Sequence, residues 1–188
     1  MRTTARRGVP LVLLTALLAT GTGPAVAAPA AVDPGTGIGY ANALLYGEDI
    51  TGGGGVESLF TVYAPQGVPA FGRGEVFLGG YECLTEDSVP ARVTGLESAR
   101  ATGRLRYECG SPEGTVRGSA FVHLRWTGRG EVTEQSWTDD AGCLVTLRVR
   151  PADVTGGMLV AVPGVGVAAL TLNAPDDADV RQERTTCA

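Results

Sequence analysis

Apolar and polar residues alternate with period two along much of the chain. Phe60, Val62 and Ala64 alternate with Thr61 and Tyr63. In Arg104-Leu105-Arg106-Tyr107-Glu108-Cys109, charge alternates with apolar character at every step. Val122, Leu124 and Trp126 share a face opposite Phe121, His123 and Arg125, and Cys143, Val145, Leu147 and Val149 share a face opposite Leu144, Thr146, Arg148 and Arg150. A period of two predicts strands with one buried and one wet face. Gly, Pro, Ser and Asp interrupt these runs at short intervals, which predicts an antiparallel β-sandwich or β-barrel of about seven to nine strands. Beyond residue 27 no stretch sustains a helical period. Val160 to Leu172 is apolar at nearly every position and reads as a strand buried on both faces, with a turn or bulge at Pro163-Gly164.

The first residues read differently. Arg2, Arg6 and Arg7 precede an apolar run from Val9 to Ala19, and Ala25-Val26-Ala27 follows as a small-residue cleavage motif. This is the pattern of a secretory signal peptide over residues 1–27. Gly8, Val9 and Pro10 after the Arg pair fit the twin-arginine route poorly, so ordinary secretion is expected. Residues 28–55 read as a Gly-rich N-terminal lead, in which Tyr40 to Ile50 is either a first strand or a loose arm. Residues 56–188 are then one β-domain. The apolar run near the C-terminus is too short and too broken to span a bilayer, so no membrane insertion is expected after signal cleavage.

Cys83, Cys109, Cys143 and Cys187 all fall in the expected mature chain, and none forms a C-x-x-C pair. In an exported protein they predict two disulfides. Their pairing is linked to an apparent repeat. Gly72-Arg73-Gly74-Glu75-Val76 recurs as Gly128-Arg129-Gly130-Glu131-Val132, and Pro90 to Gly95 resembles Pro151 to Gly156. An old duplication would give each half its own bridge, Cys83–Cys109 and Cys143–Cys187. The crossed pairing, Cys83–Cys143 with Cys109–Cys187, stays open, as does the reading of the repeat as shared strand-and-turn grammar.

Charge narrows the function classes. All 15 cationic residues are Arg, against 20 acids and a single His. A chain without Lys has no Schiff-base nucleophile and no P-loop Lys, and a single His excludes a multi-His metal centre. Removal of residues 1–27 leaves twelve Arg against twenty acids, a net charge of −8. Such a domain is repelled by phosphate backbones and anionic lipid surfaces, so no nucleic-acid partner is expected.

Candidate chemistry is sparse. His123 alternates with Phe121 and Arg125 and reads as a surface strand residue, with no G-x-S-x-G nucleophile to serve. Asp139-Asp140 and Asp176-Asp177-Ala178-Asp179 read as turn acids and lack an EF-hand frame. No catalytic residue, metal site or cofactor is assigned. Trp137, Tyr107 and Tyr81 are candidates for an aromatic binding platform; Trp126 shares the face of Val122 and Leu124 and reads as core.

The stretch from about Gly79 to Cys187 resembles a loose group of small secreted β-rich proteins of high-GC Gram-positive bacteria. The residues that carry the likeness are Val93-Thr94-Gly95, Ala101-Thr102-Gly103, Gly118-Ser119-Ala120, Arg125-Trp126-Thr127-Gly128 and the late Cys187. The resemblance implies an exported domain without an assigned activity. The expected function is non-catalytic binding outside the cell, to a glycan or a protein. The alternatives are a protease inhibitor using the Ser111 to Gly114 or Thr138 to Gly142 loop, and a small hydrolase.

Overall fold

The computed structural model describes residues 36–52, 54–112, 114–172 and 174–187. The expected signal peptide and cleavage motif lie outside the described residues. The chain is all-β and antiparallel. Its strands are β1 (Thr36–Glu48), β2 (Gly55–Ala64), β3 (Phe71–Leu78), β4 (Tyr81–Thr85), β5 (Val89–Thr94), β6 (Ser98–Ser111), β7 (Gly114–Gly128), β8 (Thr133–Thr138), β9 (Leu144–Val162), β10 (Gly166–Leu172) and β11 (Ala178–Thr186).

The strands form a single sheet, which closes on itself. β1 pairs with β2 along one edge and with β10 and β11 along the other, so the ladder from β2 round to β11 returns to its start. Two ring positions are each filled by a pair of short strands. β4 and β5 lie end to end between β3 and β6, and β10 and β11 lie end to end between β9 and β1. β8 prolongs the line of β7 along β9. Counted this way, eleven strands make an up-and-down barrel of eight positions. Closure removes the sheet edges that would otherwise template aggregation.

The domain therefore begins earlier than residue 56. Residues 36–48 lie in the stretch read as a Gly-rich lead, yet they pair on both sides, with Ala41 and Ala43 fully buried. Small residues on the inward face of β1 weaken the hydrophobic alternation by which a strand is recognised. The apolar run from Val160 is also corrected. It is a hairpin of β9 and β10 turning at Pro163 to Val165, and its outer residues Leu159 and Ala169 are exposed.

The barrel interior is filled by side chains. Phe60 stacks on Trp126 with ring centroids 6.2 Å apart, and the Trp126 indole N–H donates to the Asn42 carbonyl at 2.8 Å. β3 makes room for this pair: a Cβ on Gly72 would lie 2.7 Å from the Phe60 ring, and one on Gly74 at 3.0 Å. The long β9 turns a corner at Gly156, where φ is +90° and a Cβ would stand 2.0 Å from the His123 carbonyl oxygen. There β9 leaves β11 as its neighbour and moves toward β10. The Ser58 hydroxyl is buried in this core with no hydrogen-bond partner among the described residues. An unpaired buried hydroxyl is destabilising, so Ser58→Ala should raise the unfolding free energy by about 1 kcal/mol. A urea midpoint that falls on this substitution would show that the hydroxyl is not a liability.

Both disulfides follow the within-half pairing. Cys83 and Cys109 are direct cross-strand partners on β4 and β6, and both are fully buried. Cys143 and Cys187 close the end of the β9–β11 ladder beside the Leu144 and Thr186 pair. The repeated words do not occupy matching places, however. Residues 72–76 lie within β3, whereas 128–132 leave the end of β7 and lead to β8. Pro90 to Thr94 lies in β5 with Gly95 in the following turn, whereas Pro151 to Gly156 lies inside β9. The same short words thus serve as strand in one place and as turn in another.

Candidate binding band on the outer face

Phe60, Tyr107 and Trp126 pack into the barrel interior, while two hollows described below open on the outer face and at one barrel end. The aromatic residues singled out from the sequence are not brought together there. Tyr107 faces inward with 0% exposure, in phase with Leu105 and Cys109, and its hydroxyl donates to the Met158 sulfur at 3.6 Å. Burial pushes its hydroxyl pKa strongly up, with the Asp87 carboxylate adding to the rise. It is a core residue, as the phase of its strand dictates, and not part of a surface platform. Tyr81 is half-buried at the β3–β4 corner. Trp137 is 44% exposed on β8, all of whose residues are exposed, opposite Val145.

A different aromatic row is formed by strand register. Tyr40 on β1 lies opposite Tyr63 on β2, which lies opposite Phe71 on β3, which lies opposite Pro90 on β5. The rings touch in sequence: Tyr40 meets Tyr63 edge-on at 5.8 Å, and Tyr63 stacks on Phe71 at 5.4 Å. The Arg73 guanidinium lies 5.4 Å from the Phe71 ring centroid. All three rings are half-buried, so each keeps an accessible part.

Two residues along β5 from Pro90 the row changes character. Arg92 lies opposite Arg100 on β6, which lies opposite Arg125 on β7. Arg92, Arg100 and Arg125 are all exposed. They line a shallow groove of about 440 Å³ together with Thr102 and His123. Like charges directly opposed on adjacent strands cost stability, roughly 0.2–1 kcal/mol per pair. Nothing nearby offsets that cost. No acidic side chain lines the groove, and none of the three guanidinium groups has an ion-pair or hydrogen-bond partner among the described residues. Several other arginines have acid partners, Arg106 with Asp87, Arg150 with Glu97 and Arg181 with Asp179, whereas Arg104 meets only the Ser119 hydroxyl and Arg73 the Phe71 ring.

The aromatic and arginine rows make one band around six neighbouring strand positions. At the usual spacing between strands it is roughly 24 Å long. Neither half was legible from residue numbers, because opposition depends on register. The available signal was the set of cations at the wet positions of β6 and β7, Arg100, Arg104 and Arg125.

Other candidate groups have structural explanations. His123 is exposed, and its Nδ1 lies 3.3 Å from the Thr102 hydroxyl. Asp139 closes its own turn by accepting the backbone N–H groups of Ala141 and Cys143. Asp176 pairs with Arg129, and Asp179 with Arg181. Ser111 pairs directly with Gly114 across a tight turn whose Glu113 lies outside the described residues. Asp49, a buried acid with no motif around it in the sequence, ties the β1–β2 turn to β10 by accepting the N–H groups of Thr51 and Val167. Among the described residues no group of three or more His, Cys, Asp or Glu is placed to hold a metal ion. No helix among them is long and apolar enough to cross a membrane. Comparison with protein-family models, with curated proteins and with solved structures finds no match to this chain.

Proposed function

We propose that this chain is an exported, non-catalytic binding domain whose outer band captures a carbohydrate bearing anionic groups. The observation that carries the reading is the unpaired row of Arg92, Arg100 and Arg125 in register with one another, continued by Tyr40, Tyr63 and Phe71. The mature chain's net charge of −8 repels polyanions at long range, but the acid-free arginine row offers short-range contact that the rest of the surface does not: guanidinium forks bind carboxylate and sulfate groups bidentately. Aromatic faces suit the apolar faces of sugar rings. A chain with twelve mature Arg and twenty acids would not leave three cations aligned and unpaired for stability alone. The two disulfides are those of an oxidising environment, and the signal-like N-terminus supports export. Charged side chains on the outward faces of β3, β6 and β7 fit a face in water rather than in lipid.

The reading predicts selectivity by charge before selectivity by sugar. On a glycan array, uronate- and sulfate-bearing polymers should be retained at low salt, and neutral glucans should not. Retention should fall as ionic strength rises, because exposed charge contacts are screened. Equal retention of neutral and anionic polymers, or none of either, would remove the proposal.

A further inference from the structure

The end of the barrel next to the band holds a second, more apolar space. It is a cavity of about 360 Å³ between the start of β1, the β2–β3 turn and β5. Ile38, Ala64, Val68, Ala91, Arg92 and Val93 are among the residues that line it. Its other polar side chains, Gln66 and Gln182, are neutral, and no acid lines it. Arg92 is the one residue shared by this cavity and the arginine groove on the outer face. Its guanidinium has no partner among the described residues, and the backbone beneath it is fixed: Ala91 N–H donates to the Ala70 carbonyl at 3.1 Å, and Arg92 pairs with Arg100 across the strands.

We infer that this cavity binds a small single-chain amphiphile, its anionic head on Arg92 and its alkyl chain against Ile38, Ala64, Val68 and Val93. The volume falls at the lower end of the range for small-molecule sites, which suits a short chain and not a large lipid. The charge pattern selects the head group. A cation would meet Arg92 with no carboxylate to hold it, and an uncharged chain would leave the guanidinium unused. Carboxylate and sulfate heads share the chemistry that Arg92 recognises, whatever molecule bears them. The inference depends on the polymer-binding reading above only through Arg92, since Arg100 and Arg125 do not line the cavity.

The test is isothermal titration of the purified, oxidised chain with n-hexanoate, n-octanoate and n-decanoate, each below its micelle concentration, and with n-octanol as the uncharged control. Affinity should rise about fourfold per added methylene until the cavity is full. Arg92→Gln should weaken n-octanoate about tenfold and leave n-octanol unchanged. Ala64→Phe, which fills the cavity, should abolish binding of both, with thermal unfolding confirming that the variant is folded. Arg100→Gln with Arg125→Gln should leave n-octanoate binding intact while weakening anionic glycans, so the two proposals fail separately. No heat with n-decanoate at either 15 or 35 °C, affinity independent of chain length, or an Arg92→Gln variant that binds n-octanoate as tightly as the parent would each overturn the inference.

Discussion

Reduction of both disulfides is expected to lower the unfolding free energy by roughly 7.5 kcal/mol, the largest loss argued for this chain. The bridges span 26 and 44 residues in sequence and enclose separate loops, so their effects on the unfolded chain add. Chain-entropy estimates for loops of that size are roughly 3.5 and 4 kcal/mol. Domains of this kind have only about 5–15 kcal/mol in total. Reduced protein should therefore be largely unfolded or marginal at 37 °C. The barrel depends on nonlocal closure: β1 must find β11, near the other end of the chain, before the ring is complete. The Cys143–Cys187 bridge fixes β9 to β11 and so sets one side of that closure. Guanidinium unfolding with and without a thiol reductant measures the effect. A midpoint that does not move would mean that packing alone holds the ring.

Trp126→Ala should cost about 3–5 kcal/mol. Trp126 is among the largest fully buried side chains, and three separate gains depend on it. Its ring fills the interior, it stacks with Phe60, and its N–H satisfies the Asn42 carbonyl across the barrel. A truncated side chain would leave a cavity that the hydrogen-bonded ring of strands cannot collapse. Trp126→Phe separates the contributions. It keeps most of the packing and loses the hydrogen bond, and should cost about 1–2 kcal/mol. Equilibrium urea unfolding of the two variants gives both numbers. Equal losses for Ala and Phe would place the whole effect in the hydrogen bond and contradict the packing argument.

Much of the fold was written in local pattern, and the parts that were not share one cause. β6 and β7 were legible because bulky apolar and charged residues alternate along them, as in Arg104 to Cys109. The same phase placed Tyr107 inside, although its type suggested a surface platform. β1 was ambiguous because its inward residues include Ala41 and Ala43, whose burial is a property of the closed ring and not of their hydrophobicity. The choice between sandwich and barrel rests on the pairing of β1 with both β2 and β11, which no local pattern encodes. The band of arginines and aromatic rings on the outer face is nonlocal in the same sense. Arg92, Arg100 and Arg125 stand at irregular intervals along the chain, and only the β5–β6 and β6–β7 registers align them. Local words can also mislead: Gly-Arg-Gly-Glu-Val clears space for Phe60 on β3 and, in its second copy, leads out of β7.

Function and stability should pull in opposite directions at the arginine row. Replacing Arg92, Arg100 and Arg125 together by Gln relieves two like-charge oppositions, so the variant should unfold at the parent's temperature or slightly above it. It should also bind a uronate polymer roughly a hundredfold more weakly, taking about 1 kcal/mol for each guanidinium removed from an exposed site. Titration of parent and triple variant with polygalacturonate at low salt, alongside their thermal unfolding, decides the matter. Weakened binding in a protein of undiminished stability is the expected result; unchanged affinity in the variant would mean that the row is not where the anionic ligand sits.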